Sequence, residues 1–158
     1  MTRIADVAAH VLKQAGPMTA MKLHRLCYYA NGYHLAWEDR LLFDEPFEAW
    51  ANGPVAPALY RQHRGRFELC DGDIDGDPGV LDDGERESIG IALESLGGLS
   101  AHTLSQMTHG EPPWLLARER AGVGPLERSS EQLRTDEIAE HFEALVATAA
   151  VEAAVSVA

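Results

Sequence analysis

The chain lacks most of what would let it work chemistry by a familiar route. A G-x-S-x-G elbow, a phosphate-binding P-loop, G-x-G-x-x-G and H-E-x-x-H are all missing from its 158 residues. Cysteine is scarce: Cys27 and Cys70 stand alone without a C-x-x-C, which argues against a disulfide framework or a structural zinc site. No apolar run is long enough to span a bilayer. The most apolar stretch, ALVATAAVEAAVSVA, is short and broken by Glu152. The opening MTRIADVAAHVLKQAG mixes polar and apolar residues too finely for the core of a signal peptide. Positive charge is also in short supply, with 13 Lys and Arg against 25 Asp and Glu, net −12. Phosphate binding needs clustered cations. The best cluster, Arg61, Arg64 and Arg66 in RQHRGR, reads as a solvated helix end. Direct nucleic-acid binding and membrane association are therefore not expected, and the expected setting is cytoplasmic with reduced thiols. Such an acidic surface suits a basic protein partner, which it would steer electrostatically.

What is present is helix. Hydrophobic residues make up 46% of the chain, enough for an ordinary core, and a chain of this size buries roughly 70% of its unfolded surface. Ile4, Val7, Ala8, Val11 and Leu12 recur at helical spacing behind Thr2 as a cap, and Gly16-Pro17 stop them. Thr19 opens a longer helix with the stripe Leu23, Leu26, Cys27, Ala30, Tyr33 and Trp37, weakened at Gly32. Short strands are expected around LLF and FEAW. The segment EAWANGPVAPALY reads as a rigid corner: Gly53 is free to take positive φ, and Pro57 starts a new helix. An acidic, Gly-rich loop follows over residues 71–84. Helices then resume with Ile89, Leu93 and Leu96, with Ser100 as a cap, with Pro112-Pro113, and finally with Ile138, Phe142, Leu145, Val146 and Ala149 facing inward. The sum is a mainly α, single compact domain over residues 1–158. It has about six to seven helices, a small β element near residues 41–52, and a frayed tail over 151–158.

Few residues invite a chemical reading. DGDIDGDPGVLD, from Asp71 to Asp82, has EF-hand spacing of acids and glycine. Pro78 at the pairing position, Asp82 in place of the bidentate Glu and the lack of a second hand argue for a solvated loop. His109 and Glu111 match the H-x-E of zinc deaminases, but the required P-C-x-x-C is absent. At its helix end His109 suits the macrodipole. His10, His24 and His34 are scattered over two helices, and Cys27 lies on an apolar stripe as a core residue. No catalytic residue, metal ligand or cofactor site is expected. The amphipathic aromatics are the better candidates, since such side chains anchor interfaces. Tyr28 and Tyr29 point about 100° apart on a helix, so one of the two is expected at the surface. That residue, with Tyr60 and Trp114, forms the expected contact set.

Three segments taken together carry a resemblance. MTAMKLHRLCYYANGYHLAW contains K-L-x-x-L-x-Y-Y, EAWANGPVAPALY contains W-x-x-G-P-V-x-P-x-x-Y, and LSQMTHGEPPWLLAR contains L-x-x-x-T-H-x-E-x-P-W. In this order they resemble the Panacea domain, found in SocA-like antitoxins and phage-associated proteins of bacteria, over about Ile4 to Leu145. Lys22, Leu23, Leu26, Tyr28 and Tyr29 match the first block. Trp50, Gly53, Pro54, Val55, Pro57 and Tyr60 match the second, and Thr108, His109, Glu111, Pro113 and Trp114 the third. The resemblance implies an antitoxin that neutralises a cognate protein toxin, encoded by an adjacent gene, through direct binding. In some members the domain also hands the toxin to a AAA+ protease as a proteolytic adaptor. It brings no catalytic residues, and most matched positions are expected to define the fold. A separate DNA-binding domain, carried by some related chains, is not expected within these residues. The competing readings are a small enzyme acting on the toxin or its target, and a calcium-dependent interaction module.

Overall fold

The cap at Thr19 sets up the element around which the rest is arranged. Its side chain accepts from Lys22 N at 3.2 Å and starts helix α2, Ala20–Glu38, in the computed structural model, which describes residues 1–157. Unlike an amphipathic surface helix, α2 is buried on nearly all sides, from Leu23 through His24, Arg25 and Leu26 to Leu35. Helices α1 (Ile4–Ala15), α4 (Asp83–Leu96), α5 (Ala101–His109) and α7 (Thr135–Val157) all pack against it. Two shorter helices, α3 (Pro57–His63) and α6 (Pro112–Ala121), each begin with a proline, whose missing N–H costs nothing there. The fold is mainly α, with these seven α-helices among the described residues. No helix among them is long and apolar enough to cross a membrane.

Capping follows the expected chemistry with one correction. Ser100 accepts from Thr103 N at 3.1 Å, and Asp82 and Glu85 form a reciprocal capping box at the start of α4. Helix α1 is capped at Arg3, whose N–H donates to Asp6 at 2.9 Å. Thr2 instead donates its hydroxyl to Glu85 Oε1 at 3.0 Å, tying the start of the chain to α4.

Two small antiparallel sheets complete the fold, one pairing β1 (Met18–Thr19) with β4 (Glu68–Leu69). The other turns the expected corner into a hairpin: β2 (Glu48–Trp50) pairs with β3 (Gly53–Val55) across Ala51 and Asn52. The expected strand at Leu41–Phe43 does not form. Leu42 and Phe43 are buried as irregular chain, with Leu42 N–H donating to Asn31 Oδ1 at 3.0 Å.

Three carboxylates of the acidic loop accept from backbone. Asp73 accepts from Cys70 N at 2.8 Å, Asp77 from Gly79 N at 2.9 Å and Asp82 from Glu85 N at 2.7 Å. Arg66 pairs with Asp73 at 3.1 Å.

Helix α7 departs from expectation. Ile138 and Phe142 face inward, but Leu145 and Ala149 are exposed and Val146 is only half-buried. Phe142 reaches the core because α2 has a glycine beneath it: a Cβ at Gly32 would overlap the Phe142 ring. Past Phe142 the helix draws away from the body. The segment expected to fray from Val151 is helical to Val157 and exposed where its side chains are described, and Ala158 lies outside the described residues.

Candidate functional site

The second sequence block forms the hairpin, and residues of α2 and α6 hold it. Arg25, fully buried on α2, donates to Pro54 O and, at 2.5 Å, to Asn52 O. Among the described residues no carboxylate pairs with it, and burial lowers its pKa to about 10, against a smaller pull from the Tyr29 and Tyr28 hydroxyls. Gly53 has φ +125°, and a Cβ there would lie 2.6 Å from Arg25 Nη2. Glycine is thus required twice, for its dihedral and for the guanidinium above it. From α6, Trp114 Nε1–H donates to Trp50 O at 2.9 Å and Arg118 Nη1 to Ala49 O at 2.9 Å. Arg118 also donates to Gly124 O and Glu127 O, at 2.6 and 2.7 Å. His109 stacks on Trp114 with centroids 4.3 Å apart, and burial lowers its pKa. The outer edge of β2 is covered by bonds from Ala49 N to Glu131 O and from Leu133 N to Phe47 O.

Beneath β3 lies a buried histidine pair. Ala56 N–H donates to His24 Nδ1 at 3.2 Å, so the His24 proton sits on Nε2 and donates to His63 Nε2 at 2.7 Å. Both rings are neutral in this arrangement. Burial, with His63 and Arg25 adding to it, lowers His24 to about 3, and burial also lowers His63.

The expected contact set does not assemble on one surface. Tyr28 is 0% exposed and Tyr29 1%, so the expectation that one of the two lies at the surface is overturned. A helix in the middle of a bundle has no outer face, and Phe47 and Phe142 box the two rings edge-on. Burial raises the pKa of both hydroxyls. Tyr29 donates its hydroxyl to Glu111 at 3.0 Å, and His141 Nε2 lies 3.5 Å from the same carboxylate. Trp114, 6% exposed, is a hairpin hook. Tyr60 alone of the four is half-buried at an open surface, edge-on to Trp50. Of the matched scaffold residues, Leu23, Leu26, Val55 and Thr108 are buried, and Lys22 Nζ donates to Gly97 O at the end of α4. Cys27 is buried core, and burial raises its thiol pKa.

Among the open grooves of the described residues, two adjoin this framework. One, of about 470 Å³, lies over the hairpin and is lined by Trp50, Tyr60, Met21, Val55, Asn52 and Arg128. The other, of about 440 Å³, lies where α7 leaves α2 and α4. Tyr33, Trp37, Ile91, Met107 and Leu145 line it, with Glu111 at its edge. Sequence reading missed Arg25 and Arg118, and it placed Trp37 on the inward stripe of α2, where the side chain is 41% exposed. Arg25 carried a signal, since it sits between Leu23 and Leu26 on an apolar helix with no acid three or four residues away.

Comparisons with known proteins agree with the three blocks. The sequence profile of the family described as "Antitoxin SocA-like, Panacea domain" matches residues 21–115, more than half of the chain. This stretch contains the three blocks and is shorter than the Ile4–Leu145 expected. The chain is also similar to Antitoxin SocA of Caulobacter vibrioides (strain NA1000 / CB15N), 42% identical over 45 residues. That match covers 28% of this chain and 24% of the relative, so the chain spans about a quarter of the length of the curated relative it matches. No solved structure matches.

Proposed function

We propose that this chain, which belongs to the SocA-like antitoxin family with the Panacea domain, neutralises a toxin by holding it in a direct protein–protein complex. The observation that carries the reading is how the polar groups of the three blocks are spent. Arg25, Arg118, Trp114 and His24 bond hairpin or neighbouring backbone, and Tyr29 bonds Glu111. Aromatic and apolar side chains instead contribute much of the lining of the hairpin and α7 grooves. A rigid framework with apolar recesses and a net charge of −12 suits binding, not turnover. The toxin is expected from an adjacent gene, and the encounter belongs in the cytoplasm. Charge sets the rate of encounter, so added salt slows association more than it speeds dissociation.

Co-expression with the neighbouring gene product tests this. Growth rescue with a stoichiometric complex on gel filtration supports binding. Rescue without any complex points to an enzyme. The adaptor role of some family members has a physical foothold in α7, where every side chain from Ala147 to Val155 is exposed. If a AAA+ protease grips that end, two Asp residues appended to it lengthen the cellular half-life, and an unchanged half-life removes the role.

A further inference from the structure

We infer that the groove between α2, α4 and the outer half of α7 is the seat of an amphipathic, basic segment of the protein partner, an inference that rests on the antitoxin reading. The groove opens where α7 packs more loosely past Phe142, with Val146 half-buried and Leu145 37% exposed. Its walls are Tyr33 and Trp37, stacked 5.3 Å apart, with Ile91 opposite and Leu145 and Val146 along α7. Trp37 is 41% exposed and Leu145 37%, so these apolar groups stand in water in the free chain. From Ala144 to Val155 the only charged residue is Glu152, so α7 continues the apolar wall past the body of the protein.

The ionisable groups that line the groove give the occupant its sign. They include the carboxylates Glu111 and Glu152 and no Lys, Arg or His. Glu111 accepts from the Tyr29 hydroxyl and has His141 Nε2 3.5 Å away, so a cation at the groove meets an oriented carboxylate that already has these two neighbours. The stacked faces of Tyr33 and Trp37 also favour a cation beside them. A second copy of this chain is the weaker occupant, because each copy carries −12 and the two would repel. The hairpin groove differs in sign, since the charged residue lining it is Arg128. A segment with Leu-type residues on one face and Lys or Arg on the other therefore fits the α7 groove better than the hairpin groove.

Two probes and one blocking variant test this on the full chain. The probes are a labelled helical peptide of Leu and Lys and its Leu and Glu counterpart, followed by anisotropy and by Trp fluorescence. Ala149→Trp fills the groove from an exposed position on α7, and Glu111→Gln removes the charge while keeping an acceptor for Tyr29. The expected result is binding of the Lys peptide and not the Glu peptide, weakened at least tenfold by Ala149→Trp and several-fold by Glu111→Gln. The same two variants weaken the complex with the toxin found by growth rescue. Equal Lys-peptide affinity in wild type and Ala149→Trp overturns the inference, as does a toxin complex indifferent to that variant. A wild-type dimer that Ala149→Trp converts to monomer overturns it in favour of a second copy. If co-expression gives no growth rescue, the antitoxin reading fails, and the peptide arm still decides whether the groove selects basic segments.

Discussion

The hairpin and the outer half of α7 are opposites in construction. Backbone carbonyls from Ala49 to Pro54 are met by two buried guanidinium groups and an indole N–H, and a glycine makes room for one of them. Beyond Phe142, by contrast, α7 offers apolar side chains that meet little else in the chain. Stability is therefore concentrated at one end and unspent apolar surface at the other. The contrast teaches that sequence signature and contact surface need not coincide. A signature can mark the part that holds still, and partner contact can fall to residues outside the motif.

The largest effect that would break this contrast is the loss of Arg25. In Arg25→Met the stem still fills space, but the carbonyls of Asn52 and Pro54 lose their donors. An unsatisfied buried acceptor costs about 1–3 kcal/mol, so the variant should lose roughly 3–5 kcal/mol in urea unfolding. A loss under about 1 kcal/mol would mean that water replaces the guanidinium, and the hairpin would not be the rigid end.

Gly53→Val comes next. A β-branched residue at φ +125° is strained, and its Cβ would press on Arg25. Strain of about 1–3 kcal/mol is expected from the dihedral alone. Displacing the guanidinium should bring the loss to roughly 3 kcal/mol. Combining it with Arg25→Met should be clearly less than additive, because both disturb one contact. Full additivity would separate the glycine from the arginine.

Acid probes the hairpin end through His24, His63 and His109, and other packing through His10 on α1 and His34, which bonds Ser88 of α4. Burial holds His10, His24, His34, His63 and His109 below the ordinary histidine value of 6.5. The unfolded chain then binds protons first as pH falls, so these groups contribute full stability above pH 6.5 and lose it below. Each histidine lowers stability by up to ~1.4 kcal/mol per pH unit until its folded pKa is reached. For His24 the window runs from pH 6.5 down to about 3. His63→Gln keeps an amide oxygen for His24 Nε2–H and removes one titrating ring. Its Tm should fall less steeply than wild type between pH 6.5 and 5, a difference of about 1–2 kcal/mol at the acid end. Parallel curves would show that His63 takes up no extra proton on unfolding.

Much of the fold was legible in the sequence because it is written in local chemistry. Thr19, Ser100, Pro57 and Pro112 mark helix starts that need only their neighbours to act. FEAW showed its period of two. Burial around α2 was not legible, because an apolar stripe predicts one buried face and says nothing of how many helices will cover the others. Tyr28 and Tyr29 were misplaced for that reason. The inward face of α7 was overread for the converse one, since Leu145 and Ala149 continue the periodicity of Ile138 and Phe142 after the body has ended. The hairpin clamp was half legible: Gly53 and the prolines announced a constrained turn, but Arg25 acts across 27 residues on Asn52. The α7 groove had no sequence pattern of its own, because it is a gap between elements.

The smallest expected effect on stability lies at the open end. Val151 and Val155 are 63% and 70% exposed on α7, so replacing both with Lys removes little buried apolar area. Lys is also the better helix former. Stability in urea should therefore stay within about 0.5 kcal/mol of wild type, the usual range for surface positions. If the apolar end of α7 is surface held for a partner, an environment-sensitive apolar dye should bind the wild type more strongly than this variant. A basic partner should also bind the variant more weakly, because the two added cations offset part of the chain's net charge of −12. Should the double variant instead lose 2 kcal/mol or more, Val151 and Val155 would be covered within the free chain. The outer half of α7 would then be part of the core, and the contrast between the two ends would disappear.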